Sequence, residues 1–146
     1  MKVETTRFGT ITVREEDTIR MPMGMLGFPD QKRYIILQHK KDSPFYWYQS
    51  LDDPSLAFVI TSPFCFVTDY HVEIEDVLRD MVWDENLDRK HIELYVVVRI
   101  PKGQPRDMTA NLIGPIVVNT AARQAVQMVL PDTPYSHQFP ILPSPP

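Results

Sequence analysis

The sequence has few of the features that form disulfides, membrane-spanning segments or signal peptides. Its one cysteine, Cys65, excludes an internal disulfide. No apolar run exceeds five residues, the length of Leu94 to Val98, whereas a membrane-spanning helix needs about 20. The amino terminus, MKVETTRFG, lacks the apolar centre of a signal peptide. These absences predict a protein of the reducing cytoplasm that neither spans a membrane nor is exported.

The sequence also lacks the spacings that catalytic and metal sites require. No paired histidine spacing and no second cysteine are present, which disfavours a zinc site. There is no Gly-x-Ser-x-Gly elbow and no phosphate-binding glycine loop. Cys65 lies between two phenylalanines, where a thiol is expected to be buried and unreactive. We therefore expect no enzymatic activity, no metal and no cofactor. The four histidines, His39, His71, His91 and His137, are interpreted as surface or half-buried residues.

Proline, by contrast, is abundant. Fourteen prolines in 146 residues are about twice the usual share, and proline disfavours helix interiors. Short runs of aromatic and branched residues separated by turn residues predict a mainly β protein with a single domain at residues 1–139. Residues 140–146, PILPSPP, are predicted to form an extended tail. The predicted strands are Lys2 to Phe8, Thr10 to Val13, Thr18 to Met21, Tyr34 to Gln38, Phe45 to Ser50, Ala57 to Thr61 and Leu94 to Ile100.

Three finer features follow from the same patterns. The tripeptide Ser-Pro-Phe occurs at Ser43 and again at Ser62, and each copy is predicted to begin a strand. The alternation in Phe64 to Ile74 predicts a strand with an aromatic face. Glu75 to Val82 shows helical spacing of apolar residues and acids in its first turn, which predicts a helix.

Acidic residues are concentrated between Asp69 and Asp88. Eight acids and one arginine give this segment a net charge of −7, which leaves the other 126 residues at +3. Such a segment is either a solvated helix face or a surface that attracts a basic protein. The contact candidates among these acids are Asp76, Asp80, Asp84 and Glu85.

Three stretches together resemble the FliW family of bacterial flagellar assembly factors: MPMGMLGFPD, SLAFVITSPFCFVTDY and NLIGPIVVNTAARQAVQMVLPDTPYS. The resemblance implies a cytoplasmic single-domain antiparallel β-barrel with one or two short helices and no catalytic activity. It also implies two protein partners, flagellin and the translational regulator CsrA. In that scheme the protein antagonises CsrA and relieves repression of flagellin mRNA until new flagellin captures it. Direct contact with nucleic acid is not expected.

The resemblance bears on Asn111 to Leu130, where local propensity is ambiguous. Asn119 and Thr120 before an alanine pair could cap a helix, but the resemblance makes Ile116 to Val118 and Arg123 to Leu130 strands. We adopt the strand interpretation, because Val126, Met128 and Leu130 fall on one face and Arg123, Ala125, Gln127 and Val129 on the other. The polar side chains Asn111, Asn119 and Gln127 are then expected to bond free backbone groups, with partner contact as the less favoured role.

Exposed aromatic groups are the other candidates for partner contact, because binding energy concentrates in such anchors. Those candidates are Phe28, Phe64 and Tyr70. Two other functions stay open at this point. One is a barrel that binds a small molecule or flavin. The other is an OB-like RNA-binding barrel, for which the aromatic run at Phe45 to Tyr48 would need a basic groove.

Overall fold

The computed structural model describes residues 1–38, 40–131 and 133–141, apart from the side chains of Glu85 and Leu87. Two short helices lie in this part of the chain, α1 (Glu75–Asp80) and α2 (Glu85–Asp88). No helix among these residues is long and apolar enough to cross a membrane. The strands are β1 (Lys2–Thr5), β2 (Gly9–Thr12), β3 (Ile19–Arg20), β4 (Arg33–Gln38), β5 (Phe45–Ser50), β6 (Ala57–Thr61), β7 (Ile92–Arg99), β8 (Thr109–Ala110), β9 (Ile116–Asn119), β10 (Gln124–Gln127) and β11 (Phe139–Pro140).

Seven strands close into a barrel in the order β3-β4-β5-β6-β7-β9-β10, with β10 returning to β3. Every pairing in this ring is antiparallel except the one between β10 and β3, which is parallel. The predicted antiparallel β-barrel is thus confirmed, with one parallel contact where Gln124 meets Arg20. Strands β8 and β11 extend the sheet beyond the far end of β7.

Side chains fill the barrel interior. Tyr34 and Tyr48 stack there with ring centroids 4.4 Å apart, and both are fully buried. Alternation along each strand sends every second residue inward, which explains why Tyr46 also packs against this core while Trp47 does not. The other buried members of the interior are Ile19, Met21, Met25, Ile60, Ile116, Val118 and Ala125.

Three apolar layers cover the outside of the barrel. The β1–β2 hairpin packs on β4 through Val3 and Ile11. Helix α1 buries Val77 and Leu78 beside Val117 of β9. The segment after β6 and the carboxyl-terminal residues cover β7 and β8 around Val96.

Most of the predicted strands are present, and the predicted hairpin about Gly9 is confirmed. Strands β5 and β6 have the predicted bounds, and the helix at Glu75 is confirmed over Glu75–Asp80. Val96 and Val98 of β7 are buried, whereas Ile100, which was included in the predicted strand, lies beyond β7 and is 45% exposed.

The predicted strand from Phe64 to Ile74 is wrong. Pro63–Cys65 form a 3₁₀ turn, and residues 66–74 have no strand partner in the part of the chain that the structure describes. The first Ser-Pro-Phe copy precedes β5 as predicted, but the second follows β6 and ends it. Because the chain turns at this point, Cys65 is exposed rather than buried.

The strand interpretation of Asn111 to Leu130 is confirmed. Strand β9 pairs with β10, and residues 120–123 form the turn between them. Arg123 closes this turn with φ of +55°, an angle that a continued helix does not permit. Strand β10 is shorter than predicted, because Met128 and Leu130 bond to residues 115 and 113 outside the ladder.

The barrel packing continues past residue 139. Pro140 pairs with Thr109 in the β11–β8 contact, and the side chain of Ile141 is buried. The division of the chain into a domain at 1–139 and a tail at 140–146 stays a prediction, and residues 142–146 of that tail lie outside the described residues.

Candidate protein-interaction surface

The acidic segment forms an exposed surface around α1. Burial of Val77 and Leu78 on one side of the helix leaves the other side to the acids. The side chains of Asp76 and Asp80 are 78% and 74% exposed. Asp84 is also exposed, and its carboxylate accepts a hydrogen bond from the Asn86 N–H at 2.8 Å. The Glu85 side chain lies outside the described residues.

Two arginines offset part of this charge. Arg79 lies 2.7 Å from Asp76 and 3.8 Å from Asp80, and Arg89 donates to Glu75 at 2.9 Å. A hydrogen bond that the Glu75 carboxylate accepts from its own backbone N–H, followed by the Arg89 contact, holds the pKa of Glu75 below its usual value. These are exposed pairs, so each contributes little to stability. The surface therefore stays net acidic and accessible.

The loop between β3 and β4 displays a small apolar patch. Phe28 is 40% exposed and meets Phe58 edge to face at a centroid distance of 5.5 Å. Its neighbours Met23 and Leu26 are more exposed still, at 71% and 54%. The loop depends on Gly24, where φ is +66° and an added Cβ would lie 2.5 Å from the Phe28 carbonyl oxygen. Met23 and Leu26 were missed, because isolated apolar residues in a loop carry no periodic signal.

Phe64 and Tyr70 are neighbours with different exposure. Their rings lie 6.1 Å apart, and Phe64 is 51% exposed. Tyr70, proposed from the sequence as an exposed anchor, is buried, and its hydroxyl donates to the Leu112 carbonyl at 2.7 Å. Burial raises the pKa of Tyr70. Phe64 is thus a surface group, while Tyr70 is part of the packing beneath it.

The two asparagines serve the backbone, as the sequence interpretation favoured. The Asn111 carbonyl oxygen accepts from two backbone N–H groups, each at 3.1 Å. Asn119 is fully buried, and its oxygen accepts from Ala121 and Ala122 at 3.0 Å. These bonds hold the turns that precede β9 and β10.

Gln127 links the barrel to the apolar loop. Its side-chain oxygen accepts from the Leu26 N–H at 2.9 Å, and its amide nitrogen donates to the Gly114 carbonyl at 3.0 Å. The amide therefore fixes the position of Leu26 within the exposed patch.

A groove on the described surface was not predicted at all. It has a volume of about 520 Å³ and lies between the end of β6 and the first half of β7. Phe64 stands at its wall, and Ile92 to Tyr95 form its edge. The available signal was the second Ser-Pro-Phe copy, interpreted as the start of a strand instead of the end of one.

The described side chains provide neither a metal-ligand cluster nor an open aromatic surface. No group of three histidine, cysteine or acidic side chains comes together there as metal ligands. The aromatic run at Phe45 to Tyr48 is buried or half-buried, with Tyr46 and Tyr48 inside the barrel and Trp47 beneath Arg7. Such rings pack the fold and do not form an open stacking surface.

Comparison with known proteins gives a consistent result along the chain. The sequence model of the FliW protein family matches residues 2–141. A flagellar assembly factor FliW of Magnetococcus marinus is 37% identical over 98% of this chain and 86% of its own length. The one of Syntrophus aciditrophicus is 41% identical over 97% and 88%. A crystal structure of the flagellar assembly factor FliW superimposes with a TM-score of 0.86 at 31% identity, covering 98% of both chains.

Proposed function

The chain belongs to the FliW family of flagellar assembly factors, and we propose that it acts there as a non-catalytic cytoplasmic adaptor with two protein partners. One partner is flagellin. The other is the translational regulator CsrA, whose repression of flagellin mRNA the adaptor relieves. The observation that carries the proposal is the match to named assembly factors over nearly the whole chain, including the closed barrel.

The surface supports a role in protein binding. The acidic surface around α1 is exposed, and an RNA-binding regulator such as CsrA needs a basic face to which it is complementary. Phe28 and Phe64 add apolar groups of the kind that anchor interfaces. Charge of this sign is unfavourable for an RNA-binding surface, which argues against the OB-like alternative.

The barrel interior argues against the small-molecule alternative. Tyr34, Tyr48 and Ile60 are fully buried and fill the space that a ligand inside a barrel of this size would need. Absorption spectra and native mass spectra of the purified chain would test this directly. A coloured or bound small molecule retained through purification would favour the alternative.

The adaptor role is tested by calorimetry of each binary complex. CsrA binding is measured with and without saturating flagellin, and flagellin binding with and without saturating CsrA. Because coupling free energies are reciprocal, each partner should weaken the other by the same factor. Affinities that do not change in either direction would exclude a partner switch, and absence of both complexes would exclude the adaptor role.

A further inference from the structure

One edge of β7 is open over half its length. On the side facing β6, the residues with strand partners in the described part of the chain are Val96, Val97 and Val98. The residues Ile92 to Tyr95 pair with β9 on the opposite side, and no strand of the described residues lies beside them toward β6. The closed barrel therefore has a gap at one rim, between the end of β6 and the start of β7.

The register shows which backbone groups face this gap. The Thr120 N–H donates to the His91 carbonyl at 3.0 Å, so residues 91, 93 and 95 point their backbone groups toward β9. Leu94 consequently points its N–H and C=O toward β6, where no described residue bonds to them. The Ile92 carbonyl faces the same way, whereas the Ile92 N–H donates a hydrogen bond to the Arg89 backbone carbonyl. Leu94 thus presents a donor and an acceptor that no described residue uses.

Pro63 explains why β6 stops here. Thr61 pairs with Val96, so a longer β6 would place residue 63 opposite Leu94. Proline has no N–H to donate to the Leu94 carbonyl, and here it begins a 3₁₀ turn that takes the chain away from the sheet.

The open edge lies in the groove of about 520 Å³ described above. Four consecutive residues, Ile92 to Tyr95, line it, although neighbouring side chains of a strand point to opposite faces. Only a position along the strand edge can contact all four. Apolar walls flank the edge: Val72 lies with Leu94 on the outer side, and Tyr46 lies with Tyr95 on the inner side.

The two charged side chains that line the groove, Arg89 and Glu93, differ in their partners. Arg89 is engaged by Glu75 at 2.9 Å. The Glu93 carboxylate accepts from the Tyr95 hydroxyl at 2.7 Å, and no described basic side chain forms an ion pair with it. An acid at the edge of an apolar groove is complementary to a lysine or arginine on an incoming chain.

We propose that this groove binds an extended segment of a partner protein, which adds to β7 as an antiparallel strand. The segment places an apolar residue opposite Leu94, where its backbone exchanges two hydrogen bonds, and a basic residue opposite Glu93. An aromatic residue opposite Tyr95 would contact Tyr46. The inference concerns this mode of binding and holds whether or not flagellin and CsrA are the partners.

The first test uses the intact, isotope-labelled chain alone. In amide hydrogen exchange, Leu94 should exchange at least tenfold faster than Val96, since only Val96 has a bonded neighbour in β6. Equal protection of the two amides in the free protein would overturn the proposal, because the edge would already be occupied.

The second test titrates the labelled chain with the capped peptide Ser-Tyr-Val-Lys-Val-Ser. Binding should shift the resonances of residues 92–95 and slow exchange at Leu94. N-methylation of the two valines, whose amides would face β7, should abolish binding, whereas N-methylation of the tyrosine and lysine should be tolerated. No shift at millimolar peptide, or equal tolerance of both methylation patterns, would overturn the proposal.

Variants of the protein address side-chain recognition. Glu93→Lys should weaken binding of the lysine peptide by roughly fivefold. It should also favour binding of the same peptide with glutamate in place of lysine. Phe64→Ala should weaken binding, while Val129→Ala, at a similarly exposed apolar residue that does not line the groove, should not. Equal effects of the two alanine variants, or no change of charge preference, would contradict this recognition.

Discussion

The amides and the acids proposed as contact residues have opposite environments in the fold. Asn119 is fully buried and Gln127 half-buried, and both bond backbone groups of the barrel. Asp76 and Asp80 project from α1 into solvent, with Arg79 beside them. The amides are engaged in maintaining turns, whereas the acids are available to a partner. Loss of an amide should therefore change stability, and loss of the acids should change association.

The largest effect on stability is expected at Asn119. Asn119→Ala removes the acceptor for the Ala121 and Ala122 N–H groups and empties a fully buried position, which should lower the free energy of unfolding by about 1 to 3 kcal/mol. Urea titration would measure the change. Thr120→Ala, in the same turn but with one exposed hydroxyl bond, is the control and should cost less. If both variants lower the free energy of unfolding equally, the buried Asn119 amide contributes no more to stability than the Thr120 hydroxyl.

A smaller and more local effect is expected at Gln127. Gln127→Ala removes the bonds to Leu26 and Gly114 and should cost about 1 to 2 kcal/mol. Hydrogen exchange should become faster at the Leu26 amide, because that N–H loses its acceptor. Gln104→Ala, at an exposed position, serves as the control. Unchanged exchange at Leu26 would show that the loop is held by other contacts.

Tyr34 tests whether every buried polar group serves the fold. Its hydroxyl has no partner among the described residues, and burial raises its pKa to about 12. A raised pKa means that the neutral form is favoured on folding, so stability present below pH 10 should be lost as the pH rises toward about 12. Tyr34→Phe should change stability at pH 7 by less than about 1 kcal/mol and reduce this alkaline loss. Melting temperatures measured across a pH series would show this reduction. If Tyr34→Phe leaves the alkaline loss of stability unaltered, other tyrosines are responsible for that loss.

The smallest change in stability is expected from the acids. Neutralising Asp76, Asp80, Asp84 and Glu85 to Asn or Gln should leave the melting temperature nearly unchanged, because exposed ion pairs contribute about 0 to 1 kcal/mol. Association with CsrA should slow and lose much of its salt dependence, because the Debye length is about 10 Å at 0.1 M salt and about 3 Å at 1 M. Stopped-flow mixing would measure both.

A matched variant controls for net charge. Neutralising four other exposed acids, Glu15, Glu16, Asp30 and Asp107, changes the net charge equally and should leave most of the salt dependence. Identical salt slopes for both variants would mean that the segment around α1 is only a solvated face.

The sequence by itself predicted the elements whose patterns are local. Branched and aromatic alternation defined β5 and β6, and apolar spacing with acids in the first turn defined α1. The resemblance carried by the three family motifs predicted the closed barrel. Its ring joins strands that lie far apart in the chain. The bounds of β5, β6 and α1 follow from periodicity and turn chemistry, which a sequence displays directly, whereas the barrel was implied by the family resemblance.

The tertiary structure alone decided which surfaces are open. The alternation in Phe64 to Ile74 was typical of a strand, but Pro63 would have faced the Leu94 carbonyl without an N–H, so the chain turned away. The same tripeptide begins β5 and ends β6. Its role depends on whether an adjacent strand would need a hydrogen bond from the proline nitrogen. That turn exposes Cys65, buries Tyr70 and leaves the edge of β7 free. Backbone pairing between distant segments carries no local signal, which is why no local pattern could have predicted these outcomes.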